Sequence, residues 1–156
     1  MKRALFTAGV GALLLAAVAL GAPSASRSPK AAKVVVSTKK LPKLGVVLVD
    51  GKGRTLYMFV PDKRRKVTCV GDCAVSWPPL KLPKGAKAVP AGAARQKLLG
   101  SLPDPAGGRV VTYNGWPLYN YLLDTKPGAD SGQATNLNGG LWYVLSPSGQ
   151  VIRTKP

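Results

Sequence analysis

Histidine and glutamate are absent from this chain of 156 residues, and all six acidic residues are aspartate: Asp50, Asp62, Asp72, Asp104, Asp124 and Asp130. Without imidazole the chain holds no His general base, no His-ligated zinc and no Ser-His-Asp constellation. A hydrolase running on paired carboxylates would need two of these Asp brought together in space. Cysteine is almost as scarce, with only Cys69 and Cys73. Convincing helical periodicity is missing beyond the N-terminal segment, where Pro and Gly recur too often for long helices. Residues 93–99 read as two turns and residues 73–77 as one. The Gly-rich piece Asn138-Gly139-Gly140 lacks the strand-to-helix context and the Lys of a phosphate loop. The expectation is a non-enzyme with no catalytic residue, no metal and no cofactor.

Positive charge is abundant, with 23 Lys and Arg against 6 acidic residues. The chain starts Met1-Lys2-Arg3, runs apolar to about Ala22 and then breaks into Pro23-Ser24-Ala25-Ser26. A short basic head, an apolar core and a small-residue stretch make a signal peptide over residues 1–26, cleaved between Ala22 and Ser26. The competing reading is a retained anchor, because the apolar run approaches the roughly 20 residues that span a bilayer. Removal of Lys2 and Arg3 takes the 23 basic residues to 21, a formal balance of +15 over the 6 Asp. An exported polycation is expected to meet an anionic membrane surface or a wall polymer, and no physiological nucleic acid. No Cys precedes Cys69, so lipid anchoring through an N-terminal Cys is not expected.

Residues 27–43 carry Arg27, Lys30, Lys33, Lys39, Lys40 and Lys43 among Ser, Ala and Pro, and read as a basic disordered linker. Within it only Val34-Val35-Val36 suggests a short strand. The folded domain is placed at residues 44–153. Runs at 45–49 and 55–60 flank the turn residues Asp50-Gly51-Lys52-Gly53-Arg54, as a hairpin does. Residues 109–113 and 116–122 flank Asn114-Gly115, whose residues tolerate the positive φ of a two-residue turn. A third hairpin joins 141–145 to 150–153. The fold class is mainly β: one small antiparallel domain, sandwich- or barrel-like, with few short helices.

At an offset of 62, Leu56-Tyr57-Met58-Phe59-Val60-Pro61-Asp62 aligns with Leu118-Tyr119-Asn120-Tyr121-Leu122-Leu123-Asp124. A hairpin turn precedes each copy, and a Gly-containing loop and a Trp, Trp77 or Trp142, follow it. Two degenerate repeats result, at about 45–80 and 109–145. At these residues the chain resembles the bacterial predicted lipoproteins and secreted repeats of unknown function that carry a Tyr-x-[Phe/Trp/Tyr]-x-x-Asp motif. Cys69-x-x-x-Cys73, Trp77-Pro78-Pro79-Leu80 and Lys126-Pro127-Gly128 are similar to family features as well. The resemblance implies a two-repeat architecture and assigns no reaction.

Strand alternation sends Tyr57 and Phe59 to one face, and Tyr119 and Tyr121 likewise. With Trp77 and Trp142 these rings are expected to fill the core, while Asp62 and Asp124 accept backbone N–H groups from the following turns. The alternative is an exposed aromatic shelf with Asp at its rim, suited to a carbohydrate-binding module. Cys69 and Cys73 are expected to form a structural disulfide. The alternative there is an envelope thiol-disulfide or electron-transfer protein, with cations lowering the thiol pKa. The densest charge, Lys63-Arg64-Arg65-Lys66, is the candidate polyanion contact. The leading expectation is an exported, non-catalytic binding or structural module of the cell envelope.

Overall fold

The computed structural model describes residues 31–63 and 65–155. The expected signal segment, the start of the linker and Arg64 lie outside the described residues. Along the chain run β1 (Lys33–Leu41), β2 (Gly45–Asp50), β3 (Tyr57–Phe59), α1 (Asp72–Ser76), β4 (Lys87–Pro90) and β5 (Leu99–Pro103). They are followed by β6 (Arg109–Tyr113), β7 (Trp116–Pro117), β8 (Asn136–Leu137), β9 (Gly140–Leu145) and β10 (Val151–Ile152). The fold is mainly β, in three small sheets ordered β2-β1-β4, β10-β9-β3 and β5-β6-β7, with β8 also on β9 and no closed barrel. No helix among the described residues is long and apolar enough to cross a membrane.

The turns follow the local chemistry. Asp50 accepts the Lys52 and Arg54 N–H groups on its carboxylate, at 2.9 and 3.0 Å, and pairs with the Arg54 guanidinium at 2.8 Å. Leu56 N–H then donates to the Leu48 carbonyl, which starts the first hairpin. β3 leaves it to pair with β9, Tyr57 opposite Val144 and Phe59 opposite Trp142. Asn114 and Gly115 take φ of 50° and 81°, the left-handed pair that a tight turn between β6 and β7 requires.

Burial on both faces explains the order of layers. In β2, β3 and β9, alternate residues enter two different cores. Val47, Val49, Tyr57, Phe59, Trp142 and Val144 line one. Leu48, Met58, Tyr143 and Leu145 line the other, with Val36, Leu56, Val111, Tyr113 and Leu118. A strand covered on both sides reads as a continuous apolar run, as Leu56-Tyr57-Met58-Phe59-Val60 does.

Two expectations are corrected. The basic linker is not disordered over residues 33–41: β1 pairs antiparallel with β2 and parallel with β4, so it is a central strand. Its Val and Thr are strand formers, and Lys33, Lys39 and Lys40 are tolerated because they are exposed. The pair of β1 with β4 is the one parallel pair among the described strands, so the sheets are mostly antiparallel, as expected. The two helical turns expected at 93–99 shrink to one three-residue 3-10 turn, Gln96–Leu98, before β5. There Tyr113 captures the Arg95 N–H with its hydroxyl and pairs with Leu99, so tertiary pairing overrides local helical preference.

Candidate functional site

The two motifs meet at their tyrosines. Tyr57 N–H donates to the Tyr119 carbonyl at 2.8 Å, and Tyr119 N–H donates to the Tyr57 carbonyl at 3.0 Å. This reciprocal antiparallel pair relates the copies by an approximate two-fold. Because side chains alternate along each strand, both tyrosines and the aromatics two residues on enter the same core. Four rings stack there in order: Phe59 on Trp142 (4.1 Å), Trp142 on Trp77 (3.9 Å) and Trp77 on Tyr121 (4.0 Å), with planes within 18° at every step. Tyr57 meets Trp77 edge-on at 5.4 Å, and Tyr119 meets Trp142 edge-on at 5.3 Å. Each Trp thus receives an edge from its own copy and a face from the other copy. Such pairs add about 0.5–1.5 kcal/mol each beyond burial.

The carboxylates are exchanged in the same way. Tyr57 donates its hydroxyl proton to Asp124 at 2.6 Å, and Tyr119 donates to Asp62 at 2.8 Å. Asp62 also accepts the Thr68 N–H and hydroxyl, at 2.8 and 2.6 Å, and Asp124 accepts the Ser131 N–H at 3.0 Å. Burial pushes both carboxyls above the usual aspartate range, and these hydrogen bonds pull them part of the way back. Burial also pushes both phenols well above their ordinary value, and the neighbouring carboxylates push the same way. Phenol and carboxylate therefore saturate each other across the repeats.

The structure places the remaining sequence candidates as follows. Tyr57, Phe59, Trp77, Tyr119 and Trp142 are buried. Tyr121 is half-buried, and it lines a surface cavity with the exposed Leu122, Leu123 and Leu137. Cys69 and Cys73 form a disulfide that brackets Gly71, at φ 58°, and opens α1, whose end places Trp77. Lys63, Arg65 and Lys66 are exposed, while Arg64 lies outside the described residues. Lys63 and Arg65 both have positive φ, at 47° and 58°. Among the described residues no three of His, Cys, Asp and Glu come together as metal ligands.

Two further residues support the site, and Gln133 gave no sequence signal of its own. Gln133 is buried, accepts Val144 N–H at 2.9 Å and donates to the Ile152 and Thr154 carbonyls, tying the second repeat's loop to the chain's end. Gly132 sits where any Cβ would lie 2.7 Å from Trp77 and 2.9 Å from Tyr57. The Gly of the loop before Trp142, visible in the sequence as turn chemistry, is needed for this close approach.

Fold and site together define a β-rich module whose two repeats exchange aromatic and Tyr–Asp partners. A family model described as a secreted repeat of unknown function matches residues 39–81 and 103–146, more than half of the chain and once per repeat. The chain belongs to this family of secreted repeats. No curated protein and no solved structure matches it.

Proposed function

We propose that this exported module works without catalysis, as a binding or structural element that contacts anionic components of the envelope through its basic surface. The observation that carries the reading is a division of labour. The motif aromatics and carboxylates, the groups best suited to chemistry, bond to one another in the interior. Of the described cations, only Arg54 and Lys81 have a carboxylate partner, Asp50 and Asp104. The exposed Lys and Arg remain for partners outside the molecule, and the absence of His and Glu fits a role without acid–base catalysis. An anionic membrane surface or wall polymer is the partner class that such a charge selects.

Co-sedimentation of the folded protein with anionic and neutral vesicles, and with wall polymer, tests this at low and moderate salt. Retention by the anionic partners that weakens steeply as salt rises is the expected result. Equal retention by neutral vesicles, or binding insensitive to salt, would overturn it.

A further inference from the structure

The basic loop after the first motif, the segment entering β5 and the Asn114-Gly115 turn meet around a cavity of about 520 Å³. Its walls include Arg65, Lys97, Gly100, Thr112 and Asn114, and no carboxylate. Neither Arg65 nor Lys97 has an acidic partner among the described residues. Arg65 is held at the cavity by its own backbone, with φ at 58° and its N–H donating to the Gly115 carbonyl at 2.8 Å. A non-Gly residue kept in this sparsely populated region is strained, and such residues cluster at functional sites. Lys97 sits in the 3-10 turn Gln96–Leu98, which the Asn114 N–H fixes by donating to Leu98 O at 2.7 Å. On the sheet side Thr112 of β6 lies opposite Gly100 of β5. A Cβ on Gly100 would come 2.9 Å from the Thr112 hydroxyl oxygen, so a glycine lets β5 lie this close to that hydroxyl.

We propose that this cavity is a specific site for a phosphate ester of a small polyol, of the glycerol phosphate type. The proposal rests on the anionic-contact reading above and gives it a location. Two cations with no competing carboxylate suit an oxyanion, the guanidinium through a two-pronged contact and the ammonium as a point charge. At about 30 Å³ for each water-sized group, the cavity holds a phosphate with a short polyol beside it. The polyol hydroxyls meet Thr112, and its carbons meet Leu98 and Leu99, which also line the cavity. Free glycerol phosphate and the head group of an anionic phospholipid share this chemistry.

The test is calorimetric titration of the folded protein with glycerol 3-phosphate and with inorganic phosphate, alongside sedimentation with phosphatidylglycerol vesicles. The double variant Arg65→Gln/Lys97→Gln is compared with Lys40→Gln/Lys126→Gln, which removes the same charge at exposed positions outside the cavity. The cavity variant is expected to weaken glycerol 3-phosphate binding by about tenfold or more, and the control by less than about twofold. Thr112→Val should weaken glycerol 3-phosphate more than inorganic phosphate. Equal losses in the two double variants, or no saturable uptake of glycerol 3-phosphate by the wild type, would overturn the site. Salt-dependent vesicle binding without that uptake overturns the site and leaves the surface reading standing. Saturable uptake that the cavity variant alone loses, without vesicle binding, supports the site for the free ester and overturns a membrane surface as the partner.

Discussion

The two repeats supply the same parts to the shared aromatic stack but brace them by different means. In the first, the loop from Asp62 to Trp77 is closed by the Cys69–Cys73 disulfide, and Thr68 grips Asp62 with both its N–H and its hydroxyl. In the second, the longer loop from Asp124 to Trp142 has no cysteine. It is held by Gln133, by Ser131 on Asp124, and by the Trp142 indole N–H donating to the Leu137 carbonyl at 3.1 Å. The Trp77 indole N–H, its counterpart, is buried and makes no hydrogen bond within the described residues. The stack fixes where the rings must lie, whereas a covalent bridge or a hydrogen-bonded glutamine serves equally to keep a loop over them.

Breaking the shared stack should have the largest effect. Trp77→Ala and Trp142→Ala each remove a ring sandwiched between two others, and each is expected to cost about 3–5 kcal/mol in denaturant unfolding. Because both rings belong to one stack, the double variant should lose less than the sum of the two. Strict additivity would mean that the repeats are stabilised separately.

The braces themselves come next. Replacing both cysteines by Ser should cost about 2 kcal/mol, because the closed loop is short. Gln133→Ala strands the buried Val144 N–H and is expected to cost about 1–3 kcal/mol. Hydrogen exchange should localise the first loss to the loop before Trp77 and the second to β9 and β10. Protection lost equally in both loops for either variant would refute independent bracing.

The Tyr–Asp exchange predicts an asymmetry. Tyr57→Phe and Tyr119→Phe each leave a buried carboxylate short of a donor, at about 1–3 kcal/mol. The loss should be larger for Tyr57, since Asp124 then keeps the Ser131 N–H at 3.0 Å whereas Asp62 keeps two shorter bonds from Thr68, at 2.8 and 2.6 Å. Tyr57 also accepts the Gly132 N–H at 3.3 Å. Thermal melts of the two variants side by side check the order.

The smallest effect is a pH slope. The Asp62 and Asp124 carboxyls are raised in the fold above the ordinary value of 3.8. The folded state then binds their protons more tightly, so their contribution is fully present below that value and declines as pH rises through the raised ones. Relative to Asp62→Asn/Asp124→Asn, the wild type should lose stability on going from pH 3 to neutrality. Tyr119→Phe removes a bond that lowers Asp62, and should move that decline to higher pH. The opposite sign in urea unfolding across this range would show that the hydrogen bonds outweigh burial.

Much of this was legible locally. The Asp50-Gly51 and Asn114-Gly115 turns, the outer hairpin into β10 and the alternation of Tyr57, Phe59, Tyr119 and Tyr121 all follow from residue chemistry within a few positions. Of β1 only Val34-Val35-Val36 was legible, because its lysines give the composition of a linker, while its hydrogen-bond partners lie in β2 and β4. The strand β5 was hidden behind a helix-forming stretch that Tyr113 overrides. Gln133 carried no signal, since its partners Val144, Ile152 and Thr154 are 11 or more residues away.

By itself the sequence determined a basic, β-rich chain of two related copies, with aromatics and aspartates at matched offsets and no imidazole to catalyse with. Only the tertiary structure decided who partners whom. Periodicity assigns a side chain to a face but says nothing of which ring lies across it. The exchange of Tyr57 with Asp124 and of Tyr119 with Asp62, and the meeting of Arg65 with Lys97, depend on contacts between segments that sequence spacing leaves unrelated.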